Sequence, residues 1–305
     1  MNGKKLRVAK SVLVAAALAT VVWVSAGDLN PPAGPVAATG RFGPRTEISA
    51  AKTPGDADSL FKITQPGSYY LTGNITGVAG KMGIEIFAAG GITLDLMGFD
   101  LLGAPGSLDG VRVSFIATTD IAVVNGSVRG WGMDGVDMNQ TINVRLADLR
   151  VSSNAFNGIQ ALGDNTVVTG CVATLNIGGG IVIGTNSSVT DCSASGNLGD
   201  GIRVGDSCNV RGNACGDNNS GAGIHATGTD NRIEGNNCTF NTQGIDVDSF
   251  GNFISRNTCS GNGTNWDVAA GNVILVVNAT TAGAVSGDSG GTAPGSTDPN
   301  ANFTY

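Results

Sequence analysis

From residue 83 onward the apolar positions come in short bursts, each opened by a glycine. The openings fall at Gly83, Gly110, Gly135, Gly158, Gly180, Gly201, Gly223 and Gly244, with steps that shrink from 27 residues to between 21 and 23. The residues after the glycine alternate apolar, polar, apolar, as in Ile84-Glu85-Ile86, Val111-Arg112-Val113, Val136-Asp137-Met138, Ile202-Arg203-Val204 and Ile245-Asp246-Val247. That alternation predicts a half-buried strand. A second strand is predicted around Val168, Val189, Val210, Ile233 and Ile254, and a third around Cys171, Cys192, Cys215, Cys238 and Cys259. An asparagine follows each third strand: Asn176, Asn197, Asn218 or Asn219, Asn241 and Asn262. A step of 21 to 23 residues is also near six helical turns, but the apolar residues form runs, not the faces of a 3.6-residue period.

Three strands per repeat, stacked like on like, predict an all-β parallel β-helix, a solenoid of about eight or more coils with capped ends. One coil cannot bury its inner face alone, whereas stacked coils bury a continuous column of Ile, Val and Cys. Asparagine suits the recurring corner because it tolerates left-handed backbone and its amide can bond to the asparagine of the next coil. At ~4.8 Å per coil, eight coils extend roughly 38 Å. The leucine spacing and helical return of leucine-rich repeats are missing, as is the ~18-residue period of a hexapeptide helix.

Composition agrees. With 48 glycines in 305 residues, long helices are excluded, since glycine costs about 1 kcal/mol in a helix interior. The first 26 residues differ from the rest: Lys4, Lys5, Arg7 and Lys10 precede an apolar run from Ser11 to Val24, and Val24-Ser25-Ala26 has the small residues of a cleavage site. This predicts a signal peptide over 1–26 and a secreted, periplasmic or cell-surface protein, because the apolar run is shorter than the ~20 residues of a membrane span. No membrane span is expected in the mature chain. Residues 27–56, rich in Pro, Ala and Gly, read as an arm, 57–280 as the β-helix with an N-terminal cap coil, and 281–305 as a Gly/Ser/Thr-rich tail or plug. Trp266 and the run Val273 to Val277 are expected to supply a last apolar layer, and Asn302-Phe303 to close the end.

Six cysteines in an exported chain ordinarily suggest disulfides. Five of them share one register here, so they are expected to be interior fillers in a stacked ladder, with Cys208 outside it and partly exposed. Side chains in parallel register keep Cβ atoms ~4.8 Å apart, wider than a disulfide prefers.

The run Asp58-Ser59-Leu60-Phe61-Lys62-Ile63, followed by Gly67-Ser68-Tyr69-Tyr70-Leu71-Thr72-Gly73-Asn74-Ile75, by Gly91-Ile92-Thr93-Leu94-Asp95-Leu96-Met97-Gly98-Phe99 and by the Gly-Ile coils, resembles right-handed parallel β-helix proteins of the pectate-lyase-like superfamily. More narrowly it is similar to a group of exported bacterial β-helix proteins, over about residues 45 to 305. The resemblance implies a right-handed solenoid and a polysaccharide or cell-surface glycan as partner. It implies no particular activity, since the superfamily includes lyases, hydrolases, epimerases, esterases, adhesins and inert surface proteins. The Asp-Asp and Gly-His-Gly of polygalacturonase-like members are missing, as is the Arg-x-Pro-x-x-Arg of calcium-dependent pectate lyases, so no catalytic residue carries over.

Chemistry must then come from the outward row: Glu85, Arg112, Asp137, Gln160, Val182, Arg203, His225 and Asp246. One reading is structural, opposite charges alternating because parallel stacking would otherwise oppose like charges. The functional reading places a lyase-type elimination on Arg203, His225 and Asp246, with His225 as base, Arg203 neutralising the enolate-like charge and Asp246 orienting the ring. Arg112, Asp134 and Asp137 are the second choice. Glu85 and Asp137, two coils apart, would suit an inverting hydrolase. Asp109, Asp134 and Asp200 each precede a repeat glycine and are first of all turn formers. Trp131, between two glycines, would stack on a sugar if exposed or fill a bulge if buried; with Glu85 it is the candidate for substrate binding. No metal ligands or cofactor are assigned, although Asp and Asn are plentiful enough for calcium. Removing the four cations of the leader takes the net charge from −7 to −11, which excludes nucleic acid as a partner.

Overall fold

The computed structural model describes residues 44–115, 118–139, 141–278 and 299–305. The predicted leader and residues 27–43 of the arm lie outside them, as do residues 281–298. The segment Phe42–Tyr305 forms one compact unit. Its described residues contain strands and no helix, so none has a helix long and apolar enough to cross a membrane.

The strands form a ten-stranded and a twenty-stranded sheet, and every strand pairing is parallel. A typical coil gives one strand to the first sheet and two to the second, the two merging into one long strand at Thr119–Arg129 and at Ile142–Ser152. The predicted inward column is met residue by residue: Ile84, Val111, Val136, Ile159, Ile181, Ile202, Ile224 and Ile245 are successive partners, ending on Trp266. All eight aliphatic members are fully buried, each contributing about 2 kcal/mol of burial. The second predicted column, Val168, Val189, Val210, Ile233 and Ile254, is likewise in register.

The corners share a plan: one residue in left-handed conformation, then an inward side chain, most often asparagine. Leu175, Asp217 and Phe240, with φ of 58°, 55° and 58°, precede Asn176, Asn218 and Asn241. The column runs Asn154, Asn176, Asn197, Asn218, Asn241, Asn262, each amide donating to the next carbonyl oxygen at 2.8–3.0 Å. Each carbonyl oxygen also accepts a backbone N–H of the neighbouring coil, as from Asn176 to Asn197 at 3.1 Å. The stack thus satisfies corner amides that would otherwise be orphaned in the interior.

Two further ladders were not foreseen, and they correct the cysteine reading. Cys171 and Cys192 are not in register with Cys215. They occupy the corner of a second ladder, in which the Cys192 amide donates to Asn213 at 2.9 Å and the column continues through Asn236 and Asn257 to Asn302. Ala173 and Ala194 take the strand position that Cys215, Cys238 and Cys259 fill lower down. The steps of 21 and 23 residues look like one register only because the corner and strand positions are two residues apart. Cys208 is also buried. It belongs to a third ladder, where its amide donates to Asn231 at 2.8 Å and Asn231 to Asn252 at 2.8 Å. All six cysteines are free thiols.

At the N-terminal end the strand Thr46–Glu47 already pairs with Gly67–Tyr70, so residues 46 and 47 are built into the solenoid and not into an arm. At the other end Asn302–Thr304 inserts beside Thr258–Ser260 and Val276–Asn278, the docking expected for Asn302-Phe303. The last apolar layer is thinner than its sequence suggests. Trp266 and Ile274 pack on the core, while Val273, Leu275 and Val276 point outward.

Candidate functional site

The ten-stranded sheet presents the predicted outward row in register, lengthened at both ends: Lys62, Glu85, Arg112, Asp137, Gln160, Val182, Arg203, His225, Asp246, Asp267. Charge gathers in three groups along it.

The first group seals itself. Glu85 is only 3% exposed and its Oε2 lies 2.9 Å from Lys62 Nζ, which also reaches Asp56 at 2.6 Å and sits 4.5 Å over the Phe87 ring. A carboxylate under a lysine offers no surface to a sugar, so the binding role expected of Glu85 is not met. Trp131 is likewise buried. Its Nε1 donates to the Leu101 carbonyl at 3.0 Å, its backbone N–H donates to the first ladder asparagine, Asn154, and the indole fills space left by Gly83 and Gly110. The bulge-filling reading of Trp131 holds, and stacking on substrate does not.

The second group gathers three buried carboxyls around one guanidinium. Arg112 lies 3.1 Å from Asp109 and 3.7 Å from Asp137, not against Glu85. Asp109 Oδ1 accepts the Asp134 N–H at 2.9 Å and Asp134 Oδ1 accepts the Asn157 N–H at 2.7 Å, so these residues do serve the corner as turn formers. Burial pushes the Asp134 carboxyl up to about 6, helped by the charges of Asp137 and Asp109 and opposed by the Asn157 amide. Burial also raises Asp109 and Asp137.

The third group surrounds the only histidine. His225 Nδ1 lies 3.0 Å from Asp200 Oδ2, and Nε2 lies 3.1 Å from Asp248 Oδ2 and 3.7 Å from Asp246 Oδ2. The hydrogen bond to Asp200 holds the proton on the ring up to about 9 against burial, with Asp248 and Asp246 adding to it. Burial works to raise Asp200, yet His225 and the Ala222 amide, which donates to its other oxygen at 2.8 Å, keep it below the usual carboxylate range. Asp246 is raised by burial and by Asp248 and Asp267, with His225 opposing. Asp200 appeared in the sequence only as a turn former, and Asp248 was missed. Its signal was present, two residues beyond Asp246 and thus on the same face of the strand.

Between the second and third groups lies a depression of about 280 Å³ whose floor and walls include Gln160, Leu162, Val182, Arg203 and Thr227. That is at or below the roughly 300–1,000 Å³ of enclosed small-molecule pockets, and it suits a chain laid across the sheet. Five coil steps of ~4.8 Å separate Asp137 from Asp246, about 24 Å, so the two charged groups cannot act on one bond. A larger groove of about 450 Å³ crosses the neighbouring corner over Asn165, Ser187, Asn209 and Arg232 without an acid–base cluster like that around His225.

A family model described as right handed beta helix region matches residues 109–282. The chain belongs to this β-helix family. Among solved structures, this β-helix is similar to the A-module of mannuronan C-5 epimerase AlgE4 from Azotobacter vinelandii, at 17% identity and a TM-score of 0.50 over 72% of this chain and 78% of that one. It is similar to the Dettilon tailspike protein at 16% identity and a TM-score of 0.50, over 81% of this chain and 60% of the tailspike. Pectate lyase Pel9A aligns at 18% identity and a TM-score of 0.48, over 68% of this chain and 66% of the lyase. No curated protein matches by sequence. At these identities the likeness establishes the parallel β-solenoid fold alone, and the site must be argued from its own residues.

Proposed function

We propose that this chain is an exported protein, cleaved near Ala26, that binds an extracellular polysaccharide along the ten-stranded face, and that the Arg203, His225 and Asp246 group processes a uronan by lyase-type β-elimination. The observation that carries the binding half is the depression over Gln160, Val182 and Arg203, with charged groups on both sides. Apolar Leu162 and Val182 beside polar Gln160, Arg203 and Thr227 are what a sugar ring requires, and the repeat of the sheet continues the surface in both directions. The leader and the fold of the similar epimerase, tailspike and lyase structures support the same reading.

The elimination half asks more of the residues. A base must take the proton α to the uronate carboxylate while a cation steadies the developing charge. Arg203, one coil from His225, supplies the cation at the edge of the depression. His225 accepts a proton only after losing its own, so the reaction belongs to alkaline solution, near or above about 9. A second reading, a non-catalytic surface or adhesion protein, is favoured by the same observation, since at neutral pH the ring is a cation locked between carboxylates.

The test is a panel of acidic and neutral polysaccharides screened for binding and for the near-ultraviolet absorbance of unsaturated products, at neutral pH and above His225 deprotonation, with Arg203→Ala and His225→Ala beside the native chain. Product that rises with pH and is lost in His225→Ala supports the lyase. Binding without product at either pH refutes the lyase and keeps the glycan, and a chain that neither binds nor processes any glycan is left with the second reading, a surface or matrix structural protein.

A further inference from the structure

The third charged group holds more negative charge than its cations answer. Asp200, Asp246, Asp248 and Asp267 face His225 and Arg203, and Asp246 stacks in register directly on Asp267, the like-charge arrangement that parallel pairing disfavours. Gln243 reaches Asp246 from its own strand at 3.5 Å. The geometry of the ring is equally specific. Asp200 engages Nδ1 and turns Nε2 toward the oxygens of Asp246 and Asp248, and one ligand atom from each of the three residues lies within 4.8 Å of the others. A carboxylate on the distal ring nitrogen is the usual support of a histidine that ligates a metal through its other nitrogen.

We propose that His225 Nε2, Asp246 and Asp248 form a binding site for one divalent transition-metal ion of the zinc class, with Asp200 as the positioning residue. In a tetrahedral site with metal–ligand distances of about 2.0–2.1 Å, neighbouring ligand atoms are roughly 3.3 Å apart. The observed 3.1 Å and 3.7 Å from Nε2 to the two carboxylates bracket that separation, so the ion needs only small side-chain adjustments. Nitrogen with two carboxylate oxygens suits zinc or manganese and is poor for calcium, which takes six to eight oxygens. Three protein ligands leave a fourth position, open on the exposed side of Asp248, which is 53% exposed. Binding replaces the Nε2 proton with the metal, and the proton leaves to solvent. The proposal does not depend on glycan binding, because its ligands lie beside the depression and not in it; an ion on Nε2 takes the nitrogen that elimination would need as its base, so metal binding and the lyase reading are alternative uses of His225.

The experiment uses the untagged chain, stripped with chelator and dialysed, titrated calorimetrically with Zn²⁺ and with Mn²⁺, and Co²⁺ added separately to read the visible absorption of a four-coordinate ion. One ion per chain is expected. Asp200→Asn should weaken it by about 10- to 100-fold, the range for a supporting partner, and His225→Ala or Asp248→Asn by more. Asp248 is the least buried of the three, so its variant keeps the fold even where His225→Ala does not. Asp109→Asn, in the other acidic group, should leave the titration unchanged. The proposal is overturned if no saturable binding is seen, if Asp248→Asn binds as the native chain does, or if Asp109→Asn removes the binding.

Discussion

Replacing Asn218 with alanine tests whether the internal ladders hold the solenoid. Its Oδ1 accepts from the Asn197 backbone at 3.2 Å and from Asn197 Nδ2 at 3.0 Å, and its Nδ2 donates to the Ala194 carbonyl at 3.1 Å and to Asn241 Oδ1 at 2.8 Å. Four bonds at about 1 kcal/mol each give ~4 kcal/mol. Two of the partners keep another contact: Asn197 Nδ2 still reaches Ala173 O, and Asn241 Oδ1 still accepts the Asn218 N–H. The Ala194 carbonyl sits in a strand paired with Ala214–Gly216, but the Asn197 N–H loses its acceptor in a fully buried corner, so the loss should remain about 3 kcal/mol. Asn262, at the half-buried end of the column, should cost clearly less. The assay is urea unfolding followed by circular dichroism, with the slope checked because a solenoid can lose coils locally. A loss below about 1 kcal/mol for Asn218→Ala, or equal losses at the two positions, would refute the ladder argument.

Asp134→Asn keeps an oxygen for the Asn157 amide and removes a buried charge. A carboxyl held to about 6 against an ordinary 3.8 stabilises the fold less once ionised, by about 3 kcal/mol, so native stability should fall as pH rises from 3.8 through 6. The variant should gain over the native chain at pH 7 and not at pH 4, read by thermal melts; equal differences at both would contradict the burial argument. The six thiols should resist a thiol reagent in the native chain and all react in denaturant, since all are buried, hydrogen bonds from neighbouring cysteines and then burial raise Cys171 and Cys238, and burial raises Cys208; rapid native labelling, or a mass short of two hydrogens per disulfide, would contradict it. Asn302→Ala removes the last member of the second ladder, whose amide donates to the Ile254 carbonyl at 2.9 Å, and should speed proteolysis of the C-terminal coils while Thr46–Leu102 stays protected. Uniform loss along the chain would argue against a local cap.

Much of this architecture was legible because a parallel solenoid repeats its constraints. The glycine before each apolar–polar–apolar triplet fixed the ten-stranded face, and the row from Glu85 to Asp246 could be read to the residue. The corners were harder. Cys171 and Cys215 look equivalent by spacing, yet one sits where asparagine stacks and the other inside a strand, and only the hydrogen-bond partner distinguishes them. Exposure also misled at Trp131 and Glu85, because the burial of an indole or a carboxylate depends on the neighbouring coil: on glycines opposite Trp131 and on Lys62 above Glu85. Asp200 and Asp248 were hidden for a related reason. Each approaches His225 from a different coil or strand end, a proximity that local spacing does not encode.

The account rests most heavily on the ten-stranded face as the surface that meets a glycan. Affinity electrophoresis of the native chain in gels carrying single polysaccharides would test it, with Gln160→Ala/Arg203→Ala on that face and Ser195→Arg on the far sheet as the paired variants. Retardation by at least one polysaccharide, abolished by the double variant and unchanged in Ser195→Arg, is the predicted result. Retardation lost only in Ser195→Arg, or absent for the native chain on every polysaccharide, would contradict the claim.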